Sequence, residues 1–120
     1  MFDHIGIKVR DLSASTRFYR AALVPLGFVF DSGDATYSGF GPSGAAALWL
    51  YQAEQTSAAT HIALVAPTRA AVDRFYAAGI EAGGRDNGKP GVRTSYSPTY
   101  YAAFLIDPDG NNLEAVCMKE

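Results

Sequence analysis

Two histidines and one glutamate are the side chains of this sequence best suited to work together chemically. His4 leads the run "HIGIKV" and His61 leads "HIALVA", and the 120-residue chain has no other histidine. Glu114 lies inside the apolar run "NNLEAVCM", with Asn112 and Val116 on its face of a strand and Leu113, Ala115 and Cys117 on the other. A carboxylate inside an apolar strand is costly to bury unless it is paired with a charge or bound to a metal. Two neutral imidazoles and one carboxylate facing one space form the set that holds Fe(II), Mn(II) or Zn(II) with positions open for substrate or water. A lone strand histidine is more often a hydrogen-bonded structural residue. Two of them at matching places, together with a strand carboxylate, point to a divalent metal site of His4, His61 and Glu114. No residue stands out as a general base.

The elements that must position these residues are written twice. A shift of 57 residues lays His4-Ile5 on His61-Ile62 and Arg17-Phe18-Tyr19 on Arg74-Phe75-Tyr76, with seven identities in the twenty positions from 4 to 23. A unit of about half the chain that occurs twice is a duplicated module, because a solenoid needs about three or more repeats. Each unit opens with a strand: Ile5, Ile7 and Val9 face away from His4, Gly6 and Lys8, as Ile62 and Leu64 face away from His61 and Ala63. A helix follows, capped by Asp11 or Ser13 in the first unit and by Thr68 in the second. Val72, Phe75, Tyr76 and Gly79 keep the spacing of a buried helical face, and Leu12, Tyr19 and Leu23 follow it more loosely. Turn-punctuated apolar runs come next: "LGFVFD", "ATYSGFG" and "AAALWLYQ", then "TYYAAFLID" and "NNLEAVCM". Gly79 to Glu81 is expected to start a short strand, and "DPDG" at 107–110 makes the last two strands a hairpin. The fold class is α+β: a single domain over 1–120, with module one about 1–55 and module two about 56–120. The helices cover the Ile5 and Ile62 faces, and the histidine faces are free to curve around a cavity.

Composition excludes several classes of partner. Hydrophobic residues make up 48% and charged residues 18%, which is globular rather than disordered. A net charge of −2 leaves no basic footprint for nucleic acid or an anionic membrane. The longest apolar run, Ala45 to Tyr51, is far short of the roughly 20 residues that span a bilayer. One cysteine, Cys117, and no signal-peptide pattern are expected of a cytoplasmic protein.

The sequence resembles the vicinal oxygen chelate superfamily, which contains glyoxalase I, extradiol dioxygenases, fosfomycin-resistance enzymes and bleomycin-resistance proteins. The matching residues are "HIGIKVRDLSASTRFY" from His4, "LGF" at 26–28, "HIAL" at 61–64 and "DPDGNNLEAV" at 107–116, spread over nearly the whole chain. The resemblance implies paired βαβββ modules forming a curved mixed sheet around a metal and ligand cavity. It implies a divalent ion (Fe, Mn, Zn or Ni) on His4, His61 and Glu114, chelated by adjacent oxygens of a small-molecule substrate. It also implies a homodimer, often with the site shared between chains. The activity expected is that of a metal-dependent lyase, dioxygenase or transferase. The alternative is a non-catalytic module that sequesters a small molecule, as bleomycin-resistance proteins do. The strand "AAALWLYQ" offers no strong ligand where glyoxalase I supplies a fourth. Extradiol enzymes place a tyrosine where this chain has Phe104 and use a further histidine that it lacks. The aromatic in "LWLY" leans toward the fosfomycin-resistance enzymes, whose basic phosphonate cluster has no match here beyond Lys89 and Arg93.

Candidate substrate contacts are Trp49, Arg93, Tyr96, Tyr100 and Phe104. Gly83 to Thr99 reads as a long glycine-rich loop, either a functional lid carrying Lys89, Arg93 and Tyr96 or a solvated surface loop. Tyr100 shares parity with Ala102 and Phe104, which places it toward the cavity, while Tyr101 packs against the helices. "GGRDNGKP" at 83–90 approaches a phosphate-binding loop. That mechanism needs Ser or Thr after Lys89 and a helix beyond, and Pro90-Gly91 supplies neither.

Overall fold

The computed structural model describes residues 1–120. The two halves fold alike. Module one runs β1 (Ile5–Val9), α1 (Leu12–Leu23), a 3₁₀ turn (Val24–Leu26), β2 (Val29–Gly33), β3 (Tyr37–Gly41) and β4 (Leu48–Gln52). Module two runs β5 (His61–Val65), α2 (Arg69–Glu81), β6 (Arg85–Val92), β7 (Tyr101–Ile106) and β8 (Asn112–Cys117). Each forms a four-stranded mixed sheet, in the orders β1-β4-β3-β2 and β5-β8-β7-β6. The first strand of each sheet pairs parallel with the last, and the remaining pairings are antiparallel. The two sheets do not join into one continuous curved sheet within the chain, and neither closes into a barrel.

Helix starts follow from side-chain chemistry. Asp11 accepts the N–H of Ala14 at 3.0 Å and the Thr68 hydroxyl oxygen that of Ala71 at 3.0 Å, side-chain caps on donors of the first turn. The apolar faces then pack inward. Phe18, Tyr19 and Leu23 of α1 and Val72 and Phe75 of α2 are fully buried, in one core with Ile7, Val9, Leu50, Ile62, Leu105 and Leu113. Both helices therefore cover the same kind of face, the one carrying Ile5 and Ile62, and α1 packs directly against α2. No helix is long and apolar enough to cross a membrane.

Two expectations need correction. Gly79 to Glu81 is the last turn of α2, not a strand. At Gly79 a Cβ would lie 2.3 Å from Leu105 Cδ1, so the Leu105 side chain occupies the space a side chain there would need. Within the glycine-rich stretch after it, Arg85–Val92 form the strand β6, whose pairing with β7 slips between Asp86 and Gly88 and between Gly88 and Gly91. These bulges break the period-2 pattern by which a strand is recognised. The turn at 107–110 forms as expected: Gly110 has φ +92° and donates its N–H to the Asp107 carbonyl at 3.1 Å.

Candidate metal centre

The register brings two of the three expected metal ligands together. His61 stands at the start of β5 and pairs across the parallel ladder with Asn112, and Ala63 pairs with Glu114. Strand parity turns His61 and Glu114 to the face that α2 does not cover. There Nε2 of His61 lies 3.0 Å from Oε2 of Glu114, with the imidazole half-exposed and the carboxylate 3% exposed. The other carboxylate oxygen, Oε1, accepts the hydroxyl of Tyr100 at 2.5 Å. That hydrogen bond, reinforced by desolvation and the charge of Glu114, pushes the Tyr100 hydroxyl up to about 12. Tyr100 is thus held as a neutral donor across the physiological range, and Glu114 keeps one oxygen held and one facing His61.

Four of the expected substrate contacts gather round this pair. Phe104 pairs with Glu114 in the β7–β8 ladder and stacks on His61 at 6.4 Å between ring centres. The guanidinium of Arg93 lies 5.4 Å from the centre of the Phe104 ring, and donates to the Lys89 carbonyl at 2.6 Å. Tyr96 meets Tyr100 edge to face at 5.0 Å. Tyr101, one residue on, faces α2 and donates its hydroxyl to Asp73 at 2.6 Å, as its parity requires.

His4 and Trp49 are not in this group. His4 precedes β1 and its Nδ1 is 2.5 Å from Asp3 Oδ1. Trp49 lies in β4, beside Tyr37 at 5.9 Å. Both belong with the first sheet, and no three His, Cys, Asp or Glu side chains of one chain stand close enough to hold a metal ion. The expected cavity on the histidine face is likewise not closed within one chain. Two hollows of about 940 and about 160 Å³ are lined by neither His61 nor Glu114; the smaller is apolar and includes His4. The physical reason is the separation of the strands into two sheets, one carrying Trp49 with His4 just before its first strand, the other carrying His61 and Glu114. One further residue of this face stands beside the pair. The amide oxygen of Asn112, beside His61, is buried with no partner in the chain. Its shared parity with Glu114 was the available signal.

The donors that are present suit a metal ion. An imidazole nitrogen and a carboxylate oxygen are both ligands that divalent ions take, and His61 Nε2 and Glu114 Oε2 stand together at 3.0 Å, a hydrogen-bonding distance in the free chain. Asp3 on Nδ1 of His4 leaves Nε2 free to ligate, the carboxylate–imidazole support common behind metal-bound histidines.

Comparison with known proteins gives the class. The family model described as the Glyoxalase/Bleomycin resistance protein/Dioxygenase superfamily matches residues 1–115. The chain belongs to that superfamily. A glyoxalase/bleomycin resistance protein from Albidiferax ferrireducens T118 is similar at 30% identity, with 98% of each chain covered and a TM-score of 0.83. A glyoxalase/bleomycin resistance protein/dioxygenase family enzyme from Burkholderia phytofirmans PsJN shares the fold at 21% identity, again with 98% of each chain covered and a TM-score of 0.75. The hypothetical protein SA1046 from S. aureus is 25% identical, over 95% of this chain and 94% of its own, with a TM-score of 0.68. None of the curated proteins matches.

Proposed function

We propose that the protein is a divalent-metal-dependent enzyme whose site is completed between two copies of the chain. The observation that carries this is the pairing of a nearly buried Glu114 with a half-exposed His61 on an uncovered sheet face. His4, the other imidazole, precedes the first strand of the other sheet, with one nitrogen free. His61 and Glu114 of one copy and His4 of a second would hold the ion, which when bound supplies a Lewis acid for a substrate's adjacent oxygens. The chain's own groups prepare that place. Tyr100 holds Glu114 by one oxygen, Phe104 braces the His61 ring, and Arg93 offers a cation beside the aromatic wall. Such a wall with a cation at its rim suits a small, partly hydrophobic acid with vicinal oxygens, such as a 2-oxo or 2-hydroxy acid or a catechol-like ring. A cytoplasmic setting accords with the unpaired, buried Cys117.

The test is metal content in untagged protein loaded with Fe, Mn, Zn or Ni. Near-stoichiometric metal, lost in His61→Ala, is expected. With metal bound, such acids should raise the melting temperature more than neutral molecules do. The absence of a three-donor group within one chain favours one other reading, a sequestering module without chemistry. Failure to take up any of the four metals would overturn the metal-dependent reading and favour the sequestering one.

A further inference from the structure

The hollow of about 940 Å³ lies between α1 and the β2–β3 hairpin, on the helix side of module one, where no group of the proposed metal site reaches. A space of this order takes a small organic ligand. Comparison of the modules shows a difference beside it, at Thr36, next to the lining residues Asp34, Ala35 and Ser38. Ile5 pairs with Leu48 and Ile62 with Leu113, which aligns β4 with β8 and Gln52 with Cys117. Cys117 pairs with Tyr101, while the N–H of Gln52 donates to the Thr36 carbonyl at 2.9 Å. Thr36 therefore holds the place in module one that Tyr101 holds in module two. Tyr101 lays its ring toward α2, with its hydroxyl on Asp73 at 2.6 Å and Arg69 5.1 Å from the ring centre. Thr36 is too short for this and turns its hydroxyl back to Asp34 at 2.7 Å. Thr16, the counterpart of Asp73 under the 57-residue shift, pairs instead with Ser38 at 2.7 Å. Module one lacks a phenol ring that module two possesses.

The polar groups left over define what would fill the gap. Arg17 lines the cleft and makes no ion pair within the chain. Arg20 lies over Phe30 at 4.4 Å with its N–H edge still to donate. Of the paired Thr16 and Ser38 hydroxyls, one keeps a proton to give. Guanidinium groups donate only, and match a carboxylate or phosphate through paired N–H bonds. Asp11 and Asp34 also line the cleft, each turned to local donors. Their charges balance the two arginines, which disfavours a polyanion and suits a single carboxylate on an apolar ring. We infer that this cleft binds a small aromatic carboxylate, its ring where Tyr101 lies in module two and its carboxylate on Arg17.

Amide NMR titration with 4-hydroxybenzoate tests this, with inorganic phosphate as the comparison anion. Saturable shifts are expected on α1 and the β2–β3 hairpin with 4-hydroxybenzoate and not with phosphate. Arg17→Glu should weaken binding by about tenfold or more, and Thr36→Tyr, which supplies the missing ring, should abolish it. Both positions are exposed. If Thr36→Tyr does not fold, the Arg17→Glu result decides alone. Absence of shifts, equal shifts with phosphate, shifts confined to residues around His61 and Glu114, or binding undiminished by Arg17→Glu would overturn the inference.

Discussion

Tyr19 shows how much one buried hydroxyl can hold. It donates to Asp107 Oδ2 at 2.6 Å, and Asp107 also accepts the N–H groups of Asp109 and Asn111 and the Asn111 amide. Burial first, then the charge and hydrogen bond of Asp107, push the Tyr19 hydroxyl well above its ordinary value. A folded-state pKa raised above the unfolded one, about 10 for tyrosine, gives stability that is complete below pH 10. That stability is lost as pH rises beyond 10, because only the unfolded chain releases its proton readily. Tyr19→Phe should cost about 1–3 kcal/mol at neutral pH, since buried Asp107 loses a donor. It should also flatten the loss of stability above pH 10. Denaturant unfolding at several pH values reads both, and an unchanged alkaline limb would remove Tyr19 as its source.

At the scale of elements, aromatic rings on the uncovered sheet faces rest on glycine. A Cβ on Gly39 of β3 would lie 2.4 Å from the ring of Trp49, its partner in the β3–β4 ladder. Gly39→Ala should push the ring off the strand at a cost of about 1–3 kcal/mol and shift the emission of the chain's one tryptophan. Emission like that of the parent protein would mean that Trp49 does not depend on this contact. Much at this scale was legible in the sequence. Two-residue alternation placed His61 and Glu114 on one face and Tyr101 on the other, and Asp11 and Thr68 announced the helix starts. What escaped was set by tertiary contact. Gly79 keeps the helical spacing yet also opens the expected short strand, and its contact with Leu105, which keeps it in the helix, lies across the packing; β6 hides its strand character behind two bulges. The hydrogen bond between Tyr100 and Glu114 depends on a ladder register that parity alone does not give.

For the molecule as a whole, the separation of His4 from His61 and Glu114 makes the site a question of assembly. The proposed shared site predicts complementation. His4→Ala and Glu114→Ala proteins, each defective alone, should regain about one intact site per mixed dimer after subunit exchange. The measurement is bound metal per chain before and after mixing. No recovery despite demonstrated exchange would mean that no site is assembled from two chains. This part of the candidate site was the least legible in the sequence, because a repeat says that two modules exist and not how they face.

The bonds between the modules carry one more consequence. Every ladder pairing lies within its own module, and the chain passes between them through an exposed stretch at 53–60. Across that boundary, Tyr19 reaches Asp107, the N–H of Arg10 donates to Asp109 at 3.0 Å, Ser15 bonds to Asp109 at 3.3 Å, and α1 packs on α2. The peptide link is then a tether rather than a structural member. Separately expressed fragments 1–55 and 56–120 are expected to find each other and rebuild the fold, with Tyr19→Phe weakening their association. Circular dichroism and sedimentation of the mixture would show it, and two fragments that remain apart would show that the tether is indispensable. A protein divisible at this seam would behave as two like pieces that recognise one another through helices and one buried carboxylate.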